Sequence, residues 1–252
     1  MDWILKHHEE IRNLGLVAAA VIGLPLAIWR SFIAQQQAKI QADNHLAETY
    51  TKAIDQIGHT TETIQLGGLY ALEKIAISNQ KYHRQIIEVL CSFIRLHASI
   101  HQPEMDKHEN PAIIVQTALT IIGRRNIAFD KPPEKQNHVT IDLSESHLER
   151  ANLSDANFQG ANFVETNLEE ANMQGTNFQS ANFILACLNK SNLGEANLQE
   201  TSLMEASLKG AKLEYANLQN ALIPTNILEL ACVYTSTILP DHIDKTQLIF
   251  ED

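Results

Sequence analysis

From residue 141 to residue 180 the chain reads IDLSESHLERANLSDANFQGANFVETNLEEANMQGTNFQS, and the same five-residue pattern continues to Thr235. Every fifth residue from Leu143 onward is large and apolar, and a small residue such as Ala156 or Thr166 stands two places before most of them. The large residues are Leu143, Leu148, Leu153, Phe158, Phe163, Leu168, Met173, Phe178, Phe183, Leu188, Leu193, Leu198, Leu203, Leu208, Leu213, Leu218, Ile223, Leu228 and Val233. A period of five is neither the 3.6 of a helix nor the 2 of a strand, so it predicts a solenoid with these residues in its core.

Two kinds of residue recur at twenty, which indicates four pentads in each coil. Phe158 stands twenty residues before Phe178, and Phe163 twenty before Phe183. A glutamine column has the same spacing: Gln159, Gln179, Gln199 and Gln219. We expect the phenylalanines to stack inside the solenoid, and the glutamines to form either an amide ladder or a docking face outside. At a spacing of about 4.8 Å between coils, nearly five coils form a rod about 23 Å long.

Three pentads match the motif A-(N/D)-L-x-x as written: Ala151-Asn152-Leu153, Ala196-Asn197-Leu198 and Ala216-Asn217-Leu218. The repeat region therefore resembles the pentapeptide-repeat family. The resemblance implies a right-handed β-helix with a square cross-section. It also implies one functional alternative, since some members of the family inhibit or protect DNA gyrase with an acidic rod that mimics DNA.

The negative charge of the chain lies on the repeats and the tail. Residues 1–140 carry 14 acidic and 14 basic residues, whereas residues 141–235 carry 12 acidic and 4 basic ones. The tail from residue 236 adds 4 acids and 1 base. Direct binding of nucleic acid by this surface is disfavoured, because phosphate contacts need lysine and arginine. An acidic rod instead suits solubility or a basic protein partner.

The segment Leu14–Trp29 contains no charged residue. A span of about twenty apolar residues crosses a bilayer, so this segment predicts a transmembrane helix. Four small residues recur along it at every fourth place and would form a helix-helix ridge that supports a homo-oligomer. They are Gly15, Ala19, Gly23 and Ala27. Basic residues flank both ends of the span, so the orientation stays open, and three widely spaced cysteines favour a cytoplasmic location for the rest of the chain.

Residues 35–130 have a helical pattern of apolar residues. Gly123 is expected to end the last helix as a C-terminal cap. Arg124 and Arg125 follow it, either as ordinary basic residues at a helix end or as a grip for a phosphate or lipid headgroup. This part resembles the membrane-linked helical segment that precedes the repeats in some bacterial pentapeptide-repeat proteins. The matching stretches are NLGL at 13–16, LPLAIWR at 24–30, LGGLYALE at 66–73, EVL at 88–90 and IGRR at 122–125.

Catalytic chemistry finds little support in the sequence. His97 and His101 lie four residues apart and could share a helix face, but no cysteine joins them, and solvated histidines fit the arrangement better than metal ligands. No Ser/His/Asp or Cys/His arrangement can be argued from spacing. We therefore predict no enzyme, no catalytic, metal or cofactor-binding residue and no cofactor.

The predicted fold combines α-helices with an all-β solenoid. Its segments are an N-terminal transmembrane anchor over residues 1–34, an α-helical domain over 35–130, a linker over 131–140, a right-handed quadrilateral β-helix of about five coils over 141–235 and a C-terminal cap or tail over 236–252. We expect a single-pass protein of the bacterial inner membrane that scaffolds protein-protein interactions through its acidic β-helix. The alternatives are a DNA mimic that acts on a topoisomerase such as gyrase, and a structural subunit of an oligomeric membrane complex.

Overall fold

The structure of the protein is a computed structural model that describes residues 7, 9, 12, 13, 17, 19–100, 111–130, 140–228 and 230–251. The chain divides into two compact units, residues 1–52 and residues 53–252.

The first unit contains a π-helical turn over Ala19–Gly23 and most of helix α1, which runs from Leu24 to Ile57. Among the described residues there is no helix with both the length and the apolar character to cross a membrane. The predicted transmembrane helix is therefore not supported there. In α1 the apolar stretch is short, because three glutamines at residues 35–37 and Lys39 follow Ala34.

The predicted small-residue ridge lies at the start of this unit. Gly15 falls outside the described residues. A Cβ atom added at Gly23 would meet no atom within 4 Å, and Ala27 is exposed. The ridge and the homo-oligomer it would support stay a prediction.

Three helices of the second unit lie between the end of α1 and the repeats: α2 (Glu62–Ser78), α3 (Gln80–His97) and α4 (Ile113–Gly123); a short helix, α5 (Thr225–Leu228), lies near the end of the repeats. Asn79 separates the first two, and its side chain accepts a hydrogen bond from the backbone N–H of Lys81 as an N-terminal cap. The helices bury apolar side chains against one another, and the largest fully buried ones are Leu69, Leu72, Ile86, Ile87, Leu90, Ile94, Leu119 and Ile122.

The repeats form a β-helix with twenty residues in each coil. Isolated parallel bridges join residues twenty apart, from Asp142 with Asn162 to Lys212 with Cys232. Four such series define four faces, named here by their bridging residues. Face 1 contains Asp142, Asn162, Asn182, Ser202 and Leu222; face 2 contains His147, Asn167, Cys187 and Ser207; face 3 contains Asn152, Asn172, Asn192, Lys212 and Cys232; face 4 contains Asn157, Asn177, Asn197, Asn217 and Ile238. The right-handed sense of the coil stays a prediction.

The interior holds the large residues of the five-residue period. All nineteen are at most 2% exposed. Phe163 and Phe183 stack with ring centroids 5.0 Å apart, and Phe158 and Phe178 stack at 6.1 Å. Stacked aromatic pairs add stability beyond the area they bury, so these rings fix the register of the coils.

A tight turn follows most of the large residues. The N–H of Ala151 donates to the carbonyl of Leu148, and Arg150 between them has a φ of 58°. A positive φ at the third of four residues is the geometry of a type II turn. The asparagine before the large residue supports the turn: Asn157 Oδ1 accepts from the N–H of Gln159.

Extended strands are fewer than an all-β solenoid suggests. Within the described ranges, the strands longer than one bridged residue are β1 (Val233–Tyr234) and β2 (Phe250–Glu251), which pair in parallel. The reason is the length of a face: each pentad uses most of its residues in the turn, so a single residue remains to bridge to the next coil. The predicted tail contributes to this ladder, since Ile238 bridges Asn217 and β2 extends β1.

Candidate interaction surfaces

The helical part of the second unit covers the first coil of the β-helix by satisfying its backbone groups. Gln116 in α4 bonds both backbone groups of Asn152: its Nε2 donates to the carbonyl oxygen at 2.7 Å, and its Oε1 accepts from the N–H at 2.9 Å. The side-chain amide of Gln116 thus makes the two backbone hydrogen bonds that a preceding coil would otherwise make with face 3. An unpaired edge invites pairing with another chain, so this contact keeps the β-helix from growing at that end.

Faces 4 and 2 are closed in the same way. The carbonyl of Gly123 accepts from the N–H of Asn157 at 2.8 Å, and Arg125 donates to the carbonyl of Asn157. The carbonyl of Ala98, after α3, accepts from the N–H of His147. Gly123 is the last residue of α4. Its predicted role as a C-terminal cap is wrong, because the following residue caps the helix and Gly123 instead lies against the first coil.

A buried polar network supports Arg125. The imidazole of His83, 1% exposed, lies between the carbonyl of Ala76 and Asp130, whose other oxygen pairs with Arg125. Burial opposes ionisation of Asp130, but the hydrogen bond with His83 and the charge of Arg125 outweigh it and hold the pKa of the carboxyl below its usual value. The network therefore fixes the one arginine that bonds the first coil of face 4.

Arg124 pairs with another helix. Its guanidinium donates to both carboxylate oxygens of Glu73 in α2, at 2.6 and 2.8 Å. With Arg125 paired to Asp130, both arginines have partners within the fold, which favours the structural interpretation over a grip for a phosphate or lipid headgroup.

His97, which was considered as a metal ligand, and the cysteine Cys91 both lie in packed parts of the described structure. His97 packs against Phe93, with ring centroids 4.1 Å apart, and residues 101–110 lie outside the described part. In the described ranges no group of three or more His, Cys, Asp or Glu side chains is arranged to hold a metal. Burial raises the pKa of the Cys91 thiol to about 12, which keeps it protonated at neutral pH and disfavours the reactive thiolate.

Face 4 displays the predicted glutamine column. Gln159 Nε2 donates to Gln179 Oε1 at 3.3 Å, and Gln199 Nε2 donates to Gln219 Oε1 at 3.0 Å. The four side chains thus form two hydrogen-bonded pairs along the face, which is part of the predicted amide ladder. A partner that docked here would have to replace those bonds, which makes the column a weaker docking surface than its regularity suggests.

Many of the charged side chains on face 2 form ion pairs with one another. Lys190 donates to Glu169 and Glu170, both at 3.1 Å, and Arg150 donates to Glu170 at 2.9 Å. The hydrogen bonds from Arg150 and Lys190 hold the pKa of the Glu170 carboxyl below its usual value. Exposed pairs of this kind contribute little to stability, but they neutralise the acidic field on this side of the β-helix.

Face 1 carries an apolar column on its outer surface. Val164, Ile184 and Met204 each follow the core residue of their pentad, where the other faces mostly hold polar residues. Val164 and Ile184 are half-buried, and Met204 is 43% exposed. Two further exposed residues adjoin the column, Leu185 and Leu222. This column is not among the predicted surfaces, although the twenty-residue spacing that relates the glutamines also relates these three residues.

The comparisons with known proteins concern the repeats. A family model described as pentapeptide repeats matches residues 141–169, 151–189 and 186–222. The repeat region belongs to the pentapeptide-repeat family. Comparison with curated protein sequences gives no significant match.

Solved structures of other pentapeptide-repeat proteins resemble parts of the chain. Rfr23 from the cyanobacterium Cyanothece 51142 is 28% identical, with 42% of this chain and 67% of that chain covered and a TM-score of 0.32. HetL, involved in heterocyst differentiation regulation in the cyanobacterium Nostoc sp. strain PCC 7120, is 30% identical, with 32% and 40% covered and a TM-score of 0.22. QnrB1, a plasmid-mediated fluoroquinolone resistance protein, is 18% identical, with 48% and 67% covered and a TM-score of 0.22.

Proposed function

We propose that this protein is a non-enzymatic interaction protein that presents its pentapeptide-repeat β-helix to a protein partner and binds that partner through face 1. The observation that carries the proposal is the apolar column of Val164, Ile184 and Met204. Together with the exposed Leu185 and Leu222, the column forms a contiguous apolar patch on the surface, and such patches mark interaction sites. Proteins of the pentapeptide-repeat family are generally structural or interaction proteins, which agrees with this function.

The scaffold suits docking because its side chains are held in place. The N–H of Glu165 donates to the carbonyl of Ile184 at 3.0 Å, and the N–H of Leu185 donates to the carbonyl of Met204 at 3.1 Å. These rungs run through the column itself. A partner therefore meets apolar groups whose backbone is already ordered, and the entropy lost on binding is small.

The DNA-mimic alternative ranks second. The excess of acids over bases on the repeats supports it, and it predicts inhibition or protection of a topoisomerase such as gyrase. The pairing of Glu169 and Glu170 with Arg150 and Lys190 lowers the density of negative charge on face 2, which favours the interaction function. A supercoiling assay with the full chain at micromolar concentration separates the two, since the interaction function predicts no effect on gyrase.

The subunit of an oligomeric membrane complex also stays an alternative, as does the location at a bacterial inner membrane. Both depend on the segment before residue 35, and the ridge residue Gly15 lies outside the described residues.

The test is an in-cell crosslinking pull-down of the full chain. Three proteins are compared: the unaltered chain, the double variant Ile184→Asn/Met204→Gln on face 1, and the matched double variant Gln179→Ala/Gln199→Ala on face 4. We expect one partner to be recovered with the unaltered chain and the face 4 variant and lost with the face 1 variant. Equal recovery from all three, or no partner from any, contradicts the proposal.

A further inference from the structure

Face 1 combines its apolar column with an acidic border. The residue directly after each of Val164, Ile184 and Met204 occupies the turn position of its pentad. These positions contain Glu165, Leu185 and Glu205, and Glu145 has the same place in the preceding coil. The five pentads of this face, residues 141–145, 161–165, 181–185, 201–205 and 221–225, contain no lysine or arginine. On the other side of the column, the bridging residues beside Val164, Ile184 and Met204 are the neutral Asn162, Asn182 and Ser202, whereas Asp142 of the preceding coil pairs with Arg95. The charge of the surface is therefore one-sided.

We propose that face 1 binds an amphipathic α-helix of a partner protein, whose apolar stripe carries lysine or arginine along one flank and neutral polar residues along the other. This inference rests on the proposed function, because it names the chemistry of the partner for the same face. The apolar stripe of the helix covers Val164, Ile184 and Met204, and its basic flank lies beside Glu165 and Glu205.

The spacing of the column selects a helix over an extended strand. Successive coils lie about 4.8 Å apart, so Val164 and Met204 are separated by about 9.6 Å along the rod. On a helix, residues i and i+7 share a face and lie about 10.5 Å apart, with an intermediate residue at i+3 or i+4. On a strand, successive residues of one face lie about 6.7 Å apart. Three apolar side chains of a helix therefore stay in register with the column, whereas those of a strand do not.

The charge of the border selects a basic partner over a second copy of this chain. The repeats of a second copy carry 12 acidic and 4 basic residues. Pairing two such surfaces would bring Glu165 and Glu205 close to further carboxylates, and like charges across an interface disfavour association. A basic flank instead complements the glutamate column and speeds the encounter at low salt.

The test uses two synthetic helical peptides and the full-length protein. Both peptides have leucine at positions i, i+4, i+7 and i+11; one carries lysine along a single flank, and the other carries glutamate at the same places. Binding is measured by fluorescence anisotropy at low and at high salt. We expect the lysine peptide to bind at least tenfold more tightly than the glutamate peptide, and this advantage to shrink at high salt.

Variants of the protein locate the site. Ile184→Asn/Met204→Gln is expected to weaken binding of the lysine peptide at least tenfold, because it removes two apolar side chains that the helix would bury. Glu165→Gln/Glu205→Gln is expected to weaken it severalfold and to flatten the salt dependence. The face 4 variant Gln179→Ala/Gln199→Ala serves as the matched control and is expected to bind normally. Asparagine and glutamine already occupy the same pentad position at Asn189 and Gln199, so the first variant is compatible with the turn.

Several results would overturn the inference: no binding of the lysine peptide, equal binding of both peptides, binding that survives the face 1 substitutions, or a dimer of the protein that forms through face 1 in sedimentation equilibrium. The pull-down distinguishes this failure from failure of the proposed function. If a cellular partner depends on face 1 but both peptides bind equally, the inference of a basic flank is wrong and the proposed interaction function still holds. If partner recovery in cells does not depend on face 1, both the inference and the proposed function are wrong.

Discussion

Gly123 packs closely against the first coil at the end of α4, and its replacement by alanine tests that contact. A Cβ atom at this position would lie 2.7 Å from the Cβ of Ala156 and 3.6 Å from a ring atom of Phe158. Overpacking of this kind costs about 1–3 kcal/mol. Exchanging glycine for alanine returns at most about 1 kcal/mol through helix propensity. We therefore expect Gly123→Ala to lower the free energy of unfolding by up to about 3 kcal/mol.

The matched control is Gly67→Ala in α2. A Cβ atom there would meet no atom within 4 Å. The same added methyl group is expected to raise stability by up to about 1 kcal/mol. For a unit of this size about 1 kcal/mol corresponds to roughly 2–4 °C, so thermal unfolding followed by circular dichroism separates the two variants readily.

A second substitution locates the clash. Ala156→Gly removes the atom nearest to the new methyl group, so it is expected to restore part of the stability of Gly123→Ala in a double-mutant cycle. If Gly123→Ala is as stable as Gly67→Ala, or if Ala156→Gly only adds its own cost, α4 does not lie on the first coil as described.

Three further predictions concern the cap and the core. Because the pKa of Asp130 is lowered in the fold, its contribution to stability is present above about pH 4 and is lost as the pH falls through the lowered value. Between pH 5 and pH 2, the free energy of unfolding measured by urea titration should therefore fall less for Asp130→Asn than for the unaltered protein. An equal fall in both proteins would contradict the network. Gln116→Glu keeps the bond from the N–H of Asn152 but loses the donor to its carbonyl, so it should cost about 0.5–1.5 kcal/mol at neutral pH; a neutral effect would show that the rung is not formed. Phe183→Ala should cost about 3–5 kcal/mol in chemical unfolding, and a loss below 1 kcal/mol would argue against the stacked interior.

The sequence was sufficient to predict the interior of the β-helix and the size of its coil. Both depend on a period, and a period is visible in one chain without knowledge of what packs against it. Phe163 and Phe183 stack as their twenty-residue spacing predicts, and the helices of residues 62–123 lie within the region 35–130 whose apolar pattern predicts helices.

The cap over the first coil could not be predicted in the same way. Gly123, Gln116 and Arg125 bond residues more than thirty positions away, and no local pattern indicates which helix lies on which face. Gly123 at the end of a helix was assigned the usual role of that position, whereas a close approach of Ala156 is what requires a residue without a side chain.

The apolar column of face 1 is a different case, because its signal was present in the sequence. Val164, Ile184 and Met204 recur at twenty residues, as the glutamines of face 4 do. Sorting the outward positions by face, once the coil length is known, would have found the column.

The most direct test of the interaction function is a scan with a photo-crosslinking amino acid in the full chain inside cells. Positions 169, 174, 179 and 184 each follow a core residue, and together they sample the four faces within one coil. We expect the crosslinked partner to appear with the probe at position 184 and not at the other three. Equal crosslinking from all four faces, or crosslinking at 179 in place of 184, would contradict the assignment of face 1 as the docking surface.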